Sequence, residues 1–188
     1  MISFIEPHNP NWKTEFNNLK SKLLTVLGDL KVDIQHVGST AIPNLFAKPI
    51  LDIDIIIDHK TLLDDITARL IKIGYIDRGE QGIPGRFAFR QSSVTTPHTD
   101  DRKKWQEHHL YVCFSDSLAL KNHLLFRDAL LNDQELAAQY STLKLNLIRE
   151  IDMTREKYTK QKTDFIISVL SELGFDKTEL NNIINANL

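Results

Sequence analysis

Two aspartates interrupt the most apolar stretch of the chain, Ile50-Leu51-Asp52-Ile53-Asp54-Ile55-Ile56-Ile57. A short run this rich in isoleucine is expected as a strand inside a sheet, covered on both faces. Strand side chains alternate, so Asp52 and Asp54 point the same way, about 6.6 Å apart along the strand. Two ionised carboxylates on one face repel each other and are costly to shield from water without a counter-charge. A divalent cation meets that need, and oxygen ligands suit Mg²⁺ or Mn²⁺. Solvated acids on a strand edge are the plainer alternative.

Upstream stands His36-Val37-Gly38-Ser39-Thr40, with twelve residues between Ser39 and Asp52. Glycine lets a backbone approach an anion closely, and serine adds a hydroxyl donor. Gly38 and Ser39 are therefore candidates to cradle the β- and γ-phosphates of a metal-bound polyphosphate, against the alternative of an ordinary turn. Thr40 either caps a short helix or donates to phosphate. His36 either touches a nucleotide or is a core histidine bonded to backbone. Lys48, four residues before Asp52, either neutralises phosphate or is an ordinary surface lysine.

The rest of the chain supplies a setting. Its 188 residues suffice for one sizeable domain, or a domain with a helical appendage. A net charge of −2 gives no bulk attraction to nucleic acid or membrane. The single cysteine, Cys113, excludes an intrachain disulfide, and the first residues lack the basic and apolar regions of a signal peptide. A cytosolic location is the expectation. No apolar run approaches the roughly 20 residues of a membrane helix.

Periodicity predicts helices over 11–28 and 60–73, and strands over 32–37, 50–57, 75–80, 86–91 and 108–114. Residues 92–103 are polar and expected as a loop. After Ser115 the pattern turns helical, over 117–131, 134–150, 154–173 and 176–186. The expected fold is α+β: a small mixed sheet with flanking helices over 1–115, and a helical half over 116–188 packed on it.

Several motifs in order then carry a resemblance. His36-Val37-Gly38-Ser39-Thr40-Ala41-Ile42-Pro43 and Lys48-Pro49-Ile50-Leu51-Asp52 resemble the hallmark of the GrpB family. Gly82-Ile83-Pro84-Gly85-Arg86, His109-Leu110-Tyr111-Val112, Leu125-Phe126-Arg127-Asp128 and Tyr158-Thr159 with Lys162 and Phe165 extend the likeness over nearly the whole chain. That family is similar to the nucleotidyltransferase superfamily, with its Gly-Ser turn and a spacer before Asp-x-Asp on a strand. The resemblance implies a nucleotidyltransferase-like fold, with Asp52 and Asp54 holding Mg²⁺. Homologous domains of the family occur joined to dephospho-coenzyme A kinase, so the resemblance also implies a link to nucleotide or cofactor metabolism.

In that superfamily a third carboxylate on a later strand helps activate the attacking hydroxyl. Here Glu107 is the candidate acid, with His109 as an alternative base or ligand on the same strand face. Arg86 and Arg90 are candidates to clamp an anionic acceptor, or are solvated surface arginines. His123 and Arg127 lie one turn apart on one helix face, as do Tyr158 and Lys162, and Lys144 is a further polar candidate. Each could reach a nucleotide or form a structural pair. The expected function is transfer of a nucleotidyl group from a nucleoside triphosphate to an acceptor that the sequence does not name. The alternatives are a nucleotide- or cofactor-binding module without transfer activity and, behind it, a structural partner protein with a relic site.

Overall fold

The computed structural model describes residues 5–186. Its strands are β1 (Asp33–Val37), β2 (Leu51–Ile57), β3 (Tyr75–Asp77), β4 (Arg86–Gln91) and β5 (His108–Phe114). Its helices are α1 (Asn11–Leu27), α2 (Leu63–Lys72), α3 (Leu118–Asn132), α4 (Gln134–Arg149), α5 (Arg155–Glu172) and α6 (Lys177–Ala186). The class is α+β, and the sheet order is β1-β2-β5-β4-β3. Only β2 and β5 run parallel; β1, β4 and β3 join them antiparallel. The predicted strand over 75–80 is shorter than expected. After Asp77 the pairing is irregular: Asp77 accepts the Gly79 N–H at 2.8 Å, while Arg78 and Gly79 both still bond the backbone of Ala88 on β4.

Strand alternation divides the sheet into two chemical faces. Leu51, Ile53, Ile55 and Ile57 are fully buried and pack with Leu110 and Val112 against α1 and α2. From α1 that core takes Trp12, Phe16, Leu19, Leu23 and Leu27, a helical stripe read directly from the sequence spacing. Each such side chain contributes roughly 1.5–3 kcal/mol by burial. The opposite face carries Asp52 and Asp54 and contacts α3. Ser117 caps α3, accepting the Leu120 N–H at 3.3 Å, and Asp133 and Thr154 cap α4 and α5 in the same way.

The helices form two further apolar clusters. Ile42 and Leu45 pack with Leu130 and Tyr140, which ties the segment between β1 and β2 to α3 and α4. Leu170, Phe175 and Ile183 join α5 to α6.

Candidate functional site

Register places the polar face in order. Across from Asp52 on β5 is His109, and across from Asp54 is Tyr111. His109 Nδ1 lies 2.9 Å from Asp52 Oδ1. The hydrogen bond to Asp52 raises the His109 imidazole above its ordinary pKa, against the opposing effect of burial. Asp54 is completely buried, and His123 reaches it from α3, with Nδ1 2.8 Å from Oδ2. Burial alone would push the His123 imidazole down. The Asp54 charge and its hydrogen bond outweigh that and raise it. Each aspartate is therefore matched to one imidazole, a pairing that joins residues 57 and 69 positions apart in sequence.

Among the described residues, no N–H or O–H group donates to the buried Asp54 Oδ1. A buried carboxylate oxygen left alone is costly, and a cation would satisfy it. On the other side, Gly38 presses against Asp52: a Cβ there would overlap Asp52 Oδ2 and stand 2.9 Å from its Cγ. The φ of Gly38 is +70°, which favours glycine for a second reason. The two carboxylates thus offer hard oxygen donors fit for Mg²⁺. Among the described residues, no three His, Cys, Asp or Glu side chains converge as a complete ligand set.

Ser39 opens a short 3-10 turn over Ser39–Ala41. Its hydroxyl is met by the Lys144 ammonium of α4 at 3.1 Å, and the same ammonium donates to the Phe46 carbonyl. Lys144 is 2% exposed. Burial, and next the nearby Lys162, lower its pKa to about 7. Lys162 lies 5.4 Å from the centre of the Tyr158 ring, and Lys144 lies 4.6 Å from that of Tyr140. The structure thereby brings Lys144, Tyr158 and Lys162 to the Ser39 side of the site. The helix spacing in sequence had grouped only the last two.

Other candidates serve different ends. His36 is on the α1 side of β1, opposite Ile53, stacked on Phe16 with ring centres 4.7 Å apart. Its Nε2 bonds Thr40 Oγ1 at 3.0 Å, and burial lowers its pKa to about 4. Thr40 is buried and donates to the Ile50 carbonyl at 3.3 Å, so its hydroxyl braces the loop. Arg127 donates to Gln35 Oε1 and to the His36 carbonyl, pinning α3 to β1. Gln35 carried no sequence signal beyond its place two residues before Val37.

Glu107 is the acid expected to assist from the β5 side. It precedes β5, is exposed, and its carbonyl accepts the Leu51 N–H at 3.0 Å. Its charge raises the His109 pKa, but it joins no ligand set with the aspartates. The β5 positions level with Asp52 and Asp54 are His109 and Tyr111. Burial pushes the Tyr111 hydroxyl up to about 12. Arg86 of β4 lies over the Tyr111 ring, 4.6 Å from its centre. Arg90, level with His109, is exposed. Lys48 is half-buried, and its charge opposes protonation of His109.

Comparison with known proteins gives the chain a family and a fold. The family model described as "GrpB protein" matches residues 3–172. The chain is 31% identical to the glutamate-rich protein GrpB of Alkalihalophilus pseudofirmus, covering 88% of this chain and 92% of that protein. It is 30% identical to the UPF0157 protein YqkA of Bacillus subtilis over 85% of its own length, but spans only 43% of YqkA. It is 24% identical to a dephospho-CoA kinase of Mycobacterium bovis, of which it likewise spans 43%. Among solved structures, the conserved protein GrpB from Enterococcus faecalis superposes with a TM-score of 0.74 and 27% identity, covering 95% of this chain and 98% of that one. A mutant of the Cid1 poly(U) polymerase bound to MgATP matches with a TM-score of 0.59 and 15% identity, over 93% of this chain and 54% of that one. That second likeness is one of fold, and the fold is nucleotidyltransferase-like.

Proposed function

The chain belongs to the GrpB family, and on that premise we propose that it binds a nucleoside triphosphate with Mg²⁺ and transfers the nucleotidyl group to an acceptor. The observation that carries this reading is the contact of Gly38 with Asp52 beside that of Ser39 with Lys144. The Gly38 backbone abuts Asp52, and the Ser39 hydroxyl meets Lys144. A glycine-serine turn, a buried ammonium and paired carboxylates therefore stand together.

Asp52 and Asp54 would hold Mg²⁺ through oxygens that the imidazoles leave free; the bound ion would neutralise triphosphate charge and polarise the α-phosphoryl group. Gly38 offers backbone close to the phosphates, and Ser39 offers its hydroxyl. The Lys144 ammonium, held against Ser39, attracts the terminal phosphates. Its burial keeps that attraction strong, because little water screens it. His109 and His123 hold the carboxylates in fixed orientations, so less reorganisation is needed when the substrate arrives.

Calorimetric titration with MgATP and MgUTP tests the binding step. The Asp52→Asn plus Asp54→Asn variant should lose Mg²⁺-dependent binding while its circular dichroism stays unchanged. Equal binding by the double variant would sink the assignment of the aspartates. A second reading, a nucleotide- or cofactor-binding module without transfer activity, is favoured by the place of Tyr111 at the β5 position level with Asp54. Under it, MgATP binds but no pyrophosphate appears with any acceptor. The match to a dephospho-CoA kinase makes coenzyme A precursors sensible first acceptors to supply.

A further inference from the structure

A cavity of about 710 Å³ opens between the turn before β4, the end of β5, the start of α3, and α6. That size suits a small molecule. Along β2, the Gly38 turn lies level with Asp52 and the cavity level with Ile57, so Asp54 stands between them. His123 belongs to both places: its Nδ1 bonds Asp54, and the residue is part of the cavity lining.

Arg86 lines the cavity too. Its Nε is buried without a hydrogen-bond partner. Among the described residues, none of the ion pairs includes it. The Tyr111 ring beneath the guanidinium meets part of its charge, and with no carboxylate in ion-pair distance among the described residues an anionic ligand would meet the rest. The acids of the wall do not meet this need. Glu80 accepts the Gly85 N–H at 2.9 Å, and Asp116 is exposed.

A second observation comes from β5. A hydroxyl that attacks phosphorus must give its proton to a base. Level with the aspartates stand His109 and Tyr111 rather than a third carboxylate, and Nδ1 of His109 and of His123 is taken by an aspartate, which leaves only Nε2 of each ring. A phosphate monoester has a second pKa near 6, so at neutral pH its oxygens are already ionised. Such a nucleophile needs no base.

We propose that this cavity is the acceptor site, that it takes a small phosphate monoester, and that Arg86 binds the phosphate. The transfer step rests on the nucleotidyl-transfer reading above. One oxygen of the acceptor phosphate bonds to the α-phosphorus of the nucleoside triphosphate. The bond from that phosphorus to the bridging oxygen breaks, and pyrophosphate leaves with the electron pair. The product is a phosphoanhydride between acceptor and nucleotide; no proton leaves the acceptor and nothing is oxidised. Triphosphate on one side of Asp54 and acceptor on the other would set the two groups on opposite sides of the α-phosphorus, the order that displacement at phosphorus requires.

The test uses the full chain labelled with ¹⁵N and two probes sharing one ring, phenyl phosphate and benzyl alcohol. Phenyl phosphate should shift the Arg86 Nε–H signal and the amides of Phe114, Asn122 and His123, and benzyl alcohol should not. Arg86→Gln should weaken phenyl phosphate by about tenfold or more, as expected for a lost charged hydrogen bond. Asn182→Trp, at an exposed α6 position on the cavity wall, should weaken it similarly and stands in if the Arg86 variant fails to fold. The proposal is overturned if the shifts are confined to Gly38, Ser39 and Lys144, if both probes act alike, or if Asn182→Trp binds as tightly as the parent chain. A parallel MgATP titration reads the other site. Its failure would overturn the transfer reading alone, leaving the phosphate cavity to be judged by the probe shifts.

Discussion

Replacing Gly38 by alanine tests the packing of the turn against the carboxylate. Two costs arise, and they can be separated. Gly38 has φ +70° and ψ −172°, a region that residues with a Cβ occupy at a cost of about 1–3 kcal/mol. The new Cβ would also overlap Asp52 Oδ2 and crowd Cγ at 2.9 Å and Cβ at 3.0 Å. Asp52 must then move, and its bond to His109 breaks. Both partners of that bond are partly exposed, with side chains 32% and 53% accessible, so its loss is discounted to about 1 kcal/mol. The sum is about 2–4 kcal/mol, which lowers the thermal midpoint of a chain this size by roughly 5–15 °C. Differential scanning calorimetry measures it. The decisive comparison is the double-mutant cycle with Asp52→Ala, which removes Oδ2 and Cγ and leaves the backbone cost in place. Gly38→Ala should then cost about 1 kcal/mol less than in the parent chain. Additivity within about 0.5 kcal/mol would refute the steric account.

The remaining expectations concern pH, charge and core. His108 is 3% exposed; its Nδ1 meets the Gln106 carbonyl at 2.8 Å and its Nε2 the Tyr75 hydroxyl at 2.6 Å. Burial lowers its pKa to about 4. The unfolded chain therefore takes up this proton first, so the stabilisation is complete above about pH 6.5 and is lost as pH falls toward 4, about 3 kcal/mol in all. Urea melts across that window should show the slope, diminished in His108→Gln; an NMR titration of His108 near pH 6.5 would contradict it. Lys144→Met should keep or raise the unfolding free energy, because it removes a buried charge, while weakening MgATP by about tenfold or more in calorimetry. In the parent chain, affinity should fall as pH rises through about 7, where Lys144 loses its proton. Leu23→Ala, at a fully buried position on α1, should cost about 2–5 kcal/mol by chemical denaturation without altering nucleotide affinity.

Much of the fold was open to reading from local pattern, because local pattern is what helices and strands obey. The apolar spacing of Trp12, Phe16, Leu19, Leu23 and Val26 placed α1, and the alternating aspartates placed β2 with its two faces. Glu107 shows where this reasoning stops. A shared strand face grouped it with His109 and Tyr111, but which of these stands level with each aspartate came from the register: the strand begins at His108, and its parallel pairing puts His109 beside Asp52 and Tyr111 beside Asp54. Register between distant strands depends on the packing of the whole sheet, and no window of sequence holds that information.

The sequence by itself determined that Asp52 and Asp54 share a face, that a Gly-Ser turn precedes them, and that helices follow the sheet, for these are consequences of alternation, turn chemistry and periodicity. Tertiary structure alone decided their partners. It paired Asp52 with His109, Asp54 with His123 and Ser39 with Lys144, and it left Asp54 Oδ1 and Arg86 Nε buried and unmatched. The physical reason is that charge compensation acts across space. A carboxylate is answered by whichever cation the fold brings within about 3 Å, and the chain distance between the two has no bearing on that energy.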